Sequence, residues 1–392
     1  MKKKILIKTV VVAIISLLLS YTAVPALFDW GSVRSLRQRE HFLVSDFYNR
    51  MTYKSSNKAR HNNVLCIGTT SATRADLAAL IDTLANPDIL SVAAVGIDFY
   101  FTNPYNTLDD TLLVDALIRL GSKAVLPVVL DDNDSVVKMS FFDDDPRIVK
   151  SGINYGVVNL PGNFFTDVLR SYQPVFRLDK GTFNSFALAA IKAAGRPTAR
   201  PTANDDKLLI SYPFEQILQL DDTVFMRMAR NEQQLPVLRE LVGEAVIFIG
   251  EFNDLRDTYQ TPVDELMPGV LVHAYAANTL IEGNEIRMTP KWVNVMLAII
   301  IGFFVSFVLV WSSKLGSLAG AAFRLFTFLM IFVLLIAGFY IFIANPQHPL
   351  CIMFDDSLKM MAMPFFGVQI YGVGEWISVK IKAKREKKEQ QK

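Results

Sequence analysis

Cysteine is almost missing from this chain: Cys66 and Cys351 are the only two in 392 residues. Two thiols so far apart make no disulfide framework, and no CxxC, HExxH or EF-hand spacing accompanies them. Histidine is nearly as scarce. His41, His61, His273 and His348 form no ligating pair, so neither a metal nor a cofactor is expected. Phosphate-binding GxxxxGK[ST] and kinase-type glycine-rich motifs are lacking, and so is a GxSxG elbow. The nearest thing to a nucleophile is Ser71 in "GTTSATR", where Thr69, Thr70, Ser71 and Thr73 are explained as helix-capping hydroxyls. No enzymatic activity is therefore expected. Charge of one sign is lacking too: 40 Lys and Arg stand against 38 Asp and Glu.

What the chain has in excess is apolar length. Hydrophobic residues make up 51% of it, and the mean hydropathy is +0.29. The excess sits in residues 5–28, 292–311 and 325–344, each near the ~20 residues that cross a bilayer. A weaker run, 358–379, carries Lys359 and Glu375 near its ends and is read as a further span. Residues 1–28 are read as an uncleaved N-terminal anchor rather than a signal peptide, the apolar run after Lys8 being long for an h-region.

Residues 29–291 are different material, with 26 Lys and Arg against 33 Asp and Glu, a net charge of −7. The flanks are basic: Lys2, Lys3 and Lys4 at one end, and seven basic residues against two acidic in 380–392. Basic segments beside spans stay in the cytoplasm, which places the acidic domain outside. The expected chain is a multi-pass protein of the bacterial cytoplasmic membrane with residues 29–291 extracytoplasmic. An acidic domain, and a basic tail lying against anionic lipid, also argue against nucleic acid as a partner.

Within the outer domain, strand and helix patterns alternate. "NVLCIGT" (63–69), "SVAAVGIDFYF" (91–101) and "KAVLPVVL" (123–130) read as buried strands separated by helical runs, one over 106–121. "GVVNL" (156–160), "PVFRL" (174–178), "KLLIS" (207–211) and "EAVIFIG" (244–250) read as further strands. "TFNSFALAAIKAAG" (182–195) reads as a helix, and 194–206 as a surface loop. "MPGVLVHAYAANTLIEG" (267–283) reads as a helix opened by Pro268 and closed by Gly283. Residues 29–54 are read as a helix leading from the membrane, with a homodimer contact as one use. The fold class is α/β, a mostly parallel sheet with flanking helices, joined to an α-helical transmembrane region.

In such a sheet, ligands collect beyond the carboxyl ends of the strands. Asp98, Glu251, Asp257 and His273 are placed there and form the candidate ligand-binding set. His273 sits in the first turn of its helix, where the dipole favours neutral imidazole. The structural alternative has Asp98 bonding loop amides and His273 bonding a carboxylate such as Asp257. Asp109 and Asp110 read as helix N-terminal caps.

"VGIDFYFTNP" (95–104), "LDDTLLVDAL" (108–117), "AVLPVVL" (124–130), "YGVVNLPGNFFTDVLR" (155–170), "SFALAA" (185–190), "AVIFIG" (245–250) and the 267–283 helix follow one another in the order of the CHASE2 domain. The resemblance runs from about residue 35 to 380. Around Asp167 the family's DGVLR-like element is degenerate, with threonine and valine beside the aspartate. The resemblance implies an extracytoplasmic sensory module of bacterial signal transduction. Family members usually continue into a kinase or cyclase. Here thirteen residues follow Val379, so output is expected to pass to a separate cytoplasmic partner, with an unknown extracytoplasmic small molecule or protein as input. The alternative is an envelope scaffold that binds another protein and transmits nothing. A concave polar pocket at the sheet's carboxyl edge would favour the sensor, an exposed apolar patch the scaffold.

Overall fold

A computed structural model describes residues 2–18, 63–70, 72–105, 107–131, 135–160, 168–179, 181–199, 208–212, 217–283, 287–288 and 291–312, with scattered positions from 320 to 333, 350–351 and from 364 to 382. The expected leading helix 29–54, the loop 200–206, Ser71, Asp167 and most of the 325–344 run fall outside these residues. The chain divides into two units, Asp46–Ile286 and the flanking Met1–Ser45 with Arg287–Lys392.

The central unit is built on β1 (Val64–Thr69), α1 (Arg74–Ala85), β2 (Ala94–Ile97), α2 (Leu108–Leu120), β3 (Ala124–Leu130), β4 (Val136–Lys138) and β5 (Asn154–Val157). There follow a hairpin of β6 (Val175–Leu178) and β7 (Gly181–Asn184), then α3 (Phe186–Ala193). The chain continues through β8 (Leu218–Asp221), α4 (Asp222–Arg230), α5 (Leu235–Val242), β9 (Val246–Glu251) and α6 (Gly269–Glu282). The sheet order is β8-β1-β9-β2-β3-β4, with β5 also on β3. Every pairing is parallel except that of β3 with β4.

Alternation along each strand feeds two cores. Val64 and Cys66 of β1 join Val246 and Phe248 of β9 beneath α3 and α6. Leu65 and Ile67 join Ile247 and Ile249 on the opposite face, under α1, α2, Phe225 of α4, and Leu238 of α5. Strands covered on both faces are continuously apolar, which is why β1 and β9 read as strands in the sequence. Gly156 marks the closest approach of α3: a Cβ there would stand 2.5 Å from the Phe186 Cα.

Helix α6 is buried on nearly all sides, Gly269 through Leu280 without a break. Its small residues let it lie between the sheet and an outer layer. Tyr275 packs on Tyr212 at 5.1 Å between ring centroids, and the Thr279 hydroxyl accepts from the Ser211 N–H at 3.2 Å. Gly283 ends the helix at φ 67°, the left-handed conformation expected of a closing glycine.

Several sequence expectations shift. The strand expected over 91–101 spans only Ala94–Ile97, because the chain leaves the ladder at Asp98. The helix expected over 182–195 begins only at Phe186. Gly181–Asn184 pairs antiparallel with Val175–Leu178, and the Ser185 hydroxyl caps the helix by accepting from the Leu188 N–H. The strand 207–211 contracts to Leu208–Leu209, paired with Ser171–Tyr172 outside the main sheet. Asp110 stands in the first turn of α2 as expected, and does more there than favour the helix start. Nearly buried, it binds the guanidinium of Arg74 and accepts from the Tyr105 N–H at 2.7 Å.

In the flanking unit the helices Lys2–Leu18 and Lys291–Ser312 are 17 and 22 residues long. Taken over the described residues alone, no helix is long and apolar enough to cross a membrane. Several side chains of Lys291–Ser312 lie outside that description, so the membrane placement rests on the sequence pattern.

Candidate functional site

The carboxyl ends of β2 and β9 and the start of α6 bring two of the four expected residues together. The Asp98 N–H donates to the Ile249 carbonyl at 2.8 Å, closing the β2–β9 ladder and fixing the side chain at the sheet's mouth. Asp257 arrives from the loop after β9, where Asp254 receives the Arg256 N–H at 2.9 Å and its guanidinium at 2.8 Å. The Asp257 carboxylate lies flat against Gly269, since a Cβ on that glycine would stand 2.5 Å from Oδ1. A carboxylate in this place meets the positive end of a fourteen-residue helix whose N-cap, Pro268, offers no side-chain acceptor.

Burial raises the Asp98 carboxyl well above the usual carboxylate range, and the charge of Asp257 raises it further. Asp257 is raised by burial and then by Asp254, against the lowering effect of a hydrogen bond donated by Tyr259. The Tyr100 phenol feels burial first and then both carboxylates. Two carboxyls and two phenols in mutual reach can hold a proton between them or receive a cation. Among the described residues, no group of three or more His, Cys, Asp or Glu is placed to hold a metal ion.

Glu251 and His273 stand apart from this pair. Glu251 lies at the last rung of the β1–β9 ladder, opposite Thr69. Its charge acts on Arg256, which is held first by Asp254. His273 is 2% exposed. Its ring packs edge-on against Phe186 at 5.3 Å and bonds the backbone of Val158. Nδ1 has no hydrogen-bond partner. Burial drives its pKa down to about 3, only partly offset by that bond. The imidazole is a neutral wedge between α3 and α6 and does not reach Asp257.

A cleft that sequence reasoning missed opens beyond the carboxyl ends of β1 and β8. Its volume is about 1020 Å³, and it runs between α1 and α4. Ala79 and Leu80 of α1 and Met226 of α4 contribute its apolar lining. Thr70, Asp76 and Asp222 line the end nearest the sheet, while Arg227 and Arg230 project from the later turns of α4. Asp76 belongs to a capping box: the Thr73 hydroxyl donates to it at 2.6 Å and the Thr73 N–H at 3.0 Å. Those bonds hold its carboxyl below the usual range, so it stays ionised. Asp222 Oδ1 is buried without a partner. Burial raises this carboxyl, and the charges of Asp221 and Asp76 raise it further. Both arginines are exposed. The cleft thus carries charges of both signs: the carboxylates of Asp76, Asp222 and Glu232 and the guanidiniums of Arg227 and Arg230. The run "LQLDDTVFMRMAR" carried the signal: a short alternating strand, an aspartate cap, then an amphipathic turn.

A model of the CHASE2 domain matches residues 37–311, and the chain belongs to that family. CHASE2 domains are extracytoplasmic sensory modules. No curated protein and no solved structure matches the chain.

Proposed function

We propose that this protein is a membrane-anchored sensor whose outer domain binds a small polar solute in the cleft between α1 and α4, and which acts through a separate intracellular partner rather than by catalysis. The observation that carries this reading is the cleft itself. It lies at the carboxyl edge of a parallel sheet and is lined by charges of both signs, Asp76, Asp222 and Glu232 with Arg227 and Arg230. The Asp98–Asp257 pair, at the same edge, adds a cation- or proton-responsive element.

Anchoring is supported by the sequence of Lys291–Ser312, which carries no charge from Trp292 onward. At 1.5 Å per residue the helix extends about 33 Å, near the ~30 Å of a bilayer's hydrocarbon. The basic run 380–392 offers an acidic intracellular partner a contact.

The deciding experiment is a thermal-shift screen of the purified full-length chain against small periplasmic solutes, zwitterions first. A ligand at 100 times its Kd stabilises the native state by about 2.7 kcal/mol. A hit that Arg227→Glu abolishes, without lowering the melting temperature of the free protein, supports the reading. A well-folded chain that responds to none of the library turns the choice to the scaffold. That second reading has one specific feature in its favour: Tyr105, Leu108 and Leu112 are 67%, 72% and 39% exposed at the start of α2. They form an apolar patch of the sort that meets another protein.

A further inference from the structure

A second, smaller hollow lies at the other side of the sheet, where the hairpin of β6 and β7 leans over the end of β3. Its volume is about 430 Å³, and its wall is mostly apolar: Val128, Val136, Tyr155, Leu178 and Phe183. The hollow exists because the covering elements are short. β4 has three residues and each hairpin strand four, so the carboxyl end of β3 is roofed only in part. Four of the five apolar side chains stay half-buried, and Val128 forms the closed floor at 2% exposure.

Two polar side chains complete the wall, Lys138 and Asn184. The Lys138 Nζ stands 4.2 Å from the centre of the Tyr155 ring, which holds the ammonium at the hollow. The phenol is turned the other way, donating to Asp143 Oδ1 at 3.0 Å, so its hydroxyl is already satisfied. Asp143 also accepts from the Ser140 N–H at 2.7 Å and is 4% exposed. The nearby acid is thus engaged away from the hollow. Asn184 is oriented by a second lysine: Lys192 Nζ donates to its Oδ1 at 2.8 Å. An ammonium only donates, so the amide oxygen must face it, and the Nδ2 group is left as a donor at the wall. Among the described residues, the polar lining of the hollow is therefore one cation, whose charge also acts on Asp143 behind the ring, and one N–H donor.

We propose that this hollow binds a small amphiphilic anion, its apolar body against Val136, Leu178 and Phe183 and its anionic head between Lys138 and Asn184. A chain or ring bearing one carboxylate has the required chemistry, and the volume lies at the lower end of the range for small-molecule sites, about 300–1,000 Å³. This site is separate from the cleft between α1 and α4, and its occupant differs from a zwitterion in having a single charge.

The test is calorimetric titration of the full-length chain in lipid nanodiscs, with empty discs as the blank. The probes are octanoate, octanol and octylammonium, three molecules that differ only in the head group. Saturable binding of octanoate at least tenfold tighter than of the other two supports the proposal. Lys138→Glu, an exposed position, should weaken octanoate about tenfold and reverse the preference toward octylammonium. Val136→Trp should abolish binding by filling the hollow. Octanol binding as tightly as octanoate would overturn the anionic head. Octanoate binding unchanged by Lys138→Glu would overturn the site. An acidic phenylalanine-bearing peptide binding where octanoate does not would overturn the small-molecule occupant. Arg227→Glu should leave octanoate binding intact, which keeps this outcome distinct from that of the solute screen.

Discussion

His273 and Asp98 respond to protons in opposite senses, and the sign follows from where each sits. The folded pKa of His273 is depressed to about 3, below the unfolded value of about 6.5. Its stabilising contribution is complete above about pH 6.5 and is lost as the pH falls toward 3, because only the unfolded chain then takes the proton. Asp98 is the reverse case. Its folded pKa is raised, so its contribution is complete below about pH 4 and lost as the pH rises through the raised value. Asp98→Asn should therefore stabilise the protein at pH 8 and change little at pH 4. A variant less stable than the parent at pH 8 would rule out repulsion with Asp257. His273→Ala should cost about 2–4 kcal/mol at pH 7 through the cavity and the lost Val158 bond, and should flatten the acid limb of the stability curve. An unchanged acid limb in urea titrations would mean that the imidazole is not the group responsible. Position along the chain was enough to place Asp98, Asp257 and His273 at strand ends and a helix start. It could not show which side of α6 each would occupy. His273 lies four residues beyond Gly269, and that places its ring against Phe186 while Asp257 packs on Gly269.

At the scale of elements, the pairing of α1 with α2 is fastened by Arg74. Its guanidinium reaches the Asp110 carboxylate and the Asn103 carbonyl, the latter at 2.5 Å. It also stacks on Tyr105 at 3.9 Å. The two charged side chains are 11% and 9% exposed, so removing one strands the other. Arg74→Ala should cost about 3–5 kcal/mol. Arg74→Lys keeps the charge but cannot span both acceptors and stack as well, and should still lose roughly 1.5 kcal/mol. Equal stability of the lysine variant and the parent in chemical denaturation would reduce the site to a simple charge pair. The helices themselves were legible because α1, α2 and α6 carry long apolar periods between recognisable boundary residues, Thr73 before α1, Gly121 after α2, and Pro268 and Gly283 around α6. β8, α4 and α5 were not read from the sequence. β8 is half-exposed and only four residues long, and α4 presents a polar face that resembles a loop. The sequence showed only half of what Asp110 does. An acid in the first turn looks like a cap, and only the tertiary partner at Arg74 reveals its other use.

For the whole molecule, the sequence separated an acidic outer domain from apolar flanks by composition alone. The parallel sheet followed from strands apolar on both faces. What composition could not supply was the cleft, because a hollow depends on how elements distant in sequence, here α1 and α4, come to lie side by side. The anchoring reading makes its own demand. Ile300 is 60% exposed and Phe304 44% exposed on the helix Lys291–Ser312, which suits lipid better than water. The chain should stay with membranes through an alkaline wash. Ile300→Arg should weaken insertion by roughly 3–4 kcal/mol. Release of the unmodified chain into the wash would remove the membrane from the account.

The place of β1 carries a consequence for how the protein comes into being. Its two neighbours, β8 and β9, lie far along the chain, at Leu218–Asp221 and Val246–Glu251. At about 5–20 residues per second, synthesis leaves roughly 10–40 s between the making of β1 and the making of β9. β2, β3 and β5 lie close together in sequence and can assemble during that wait, but "VLCIGT" cannot. For that interval an apolar strand stands with both edges bare, so the nascent chain is more exposed to aggregation than the finished one. Among the described strands of this sheet, one that ends with a neighbour on each side is the first to be made and among the last to be seated.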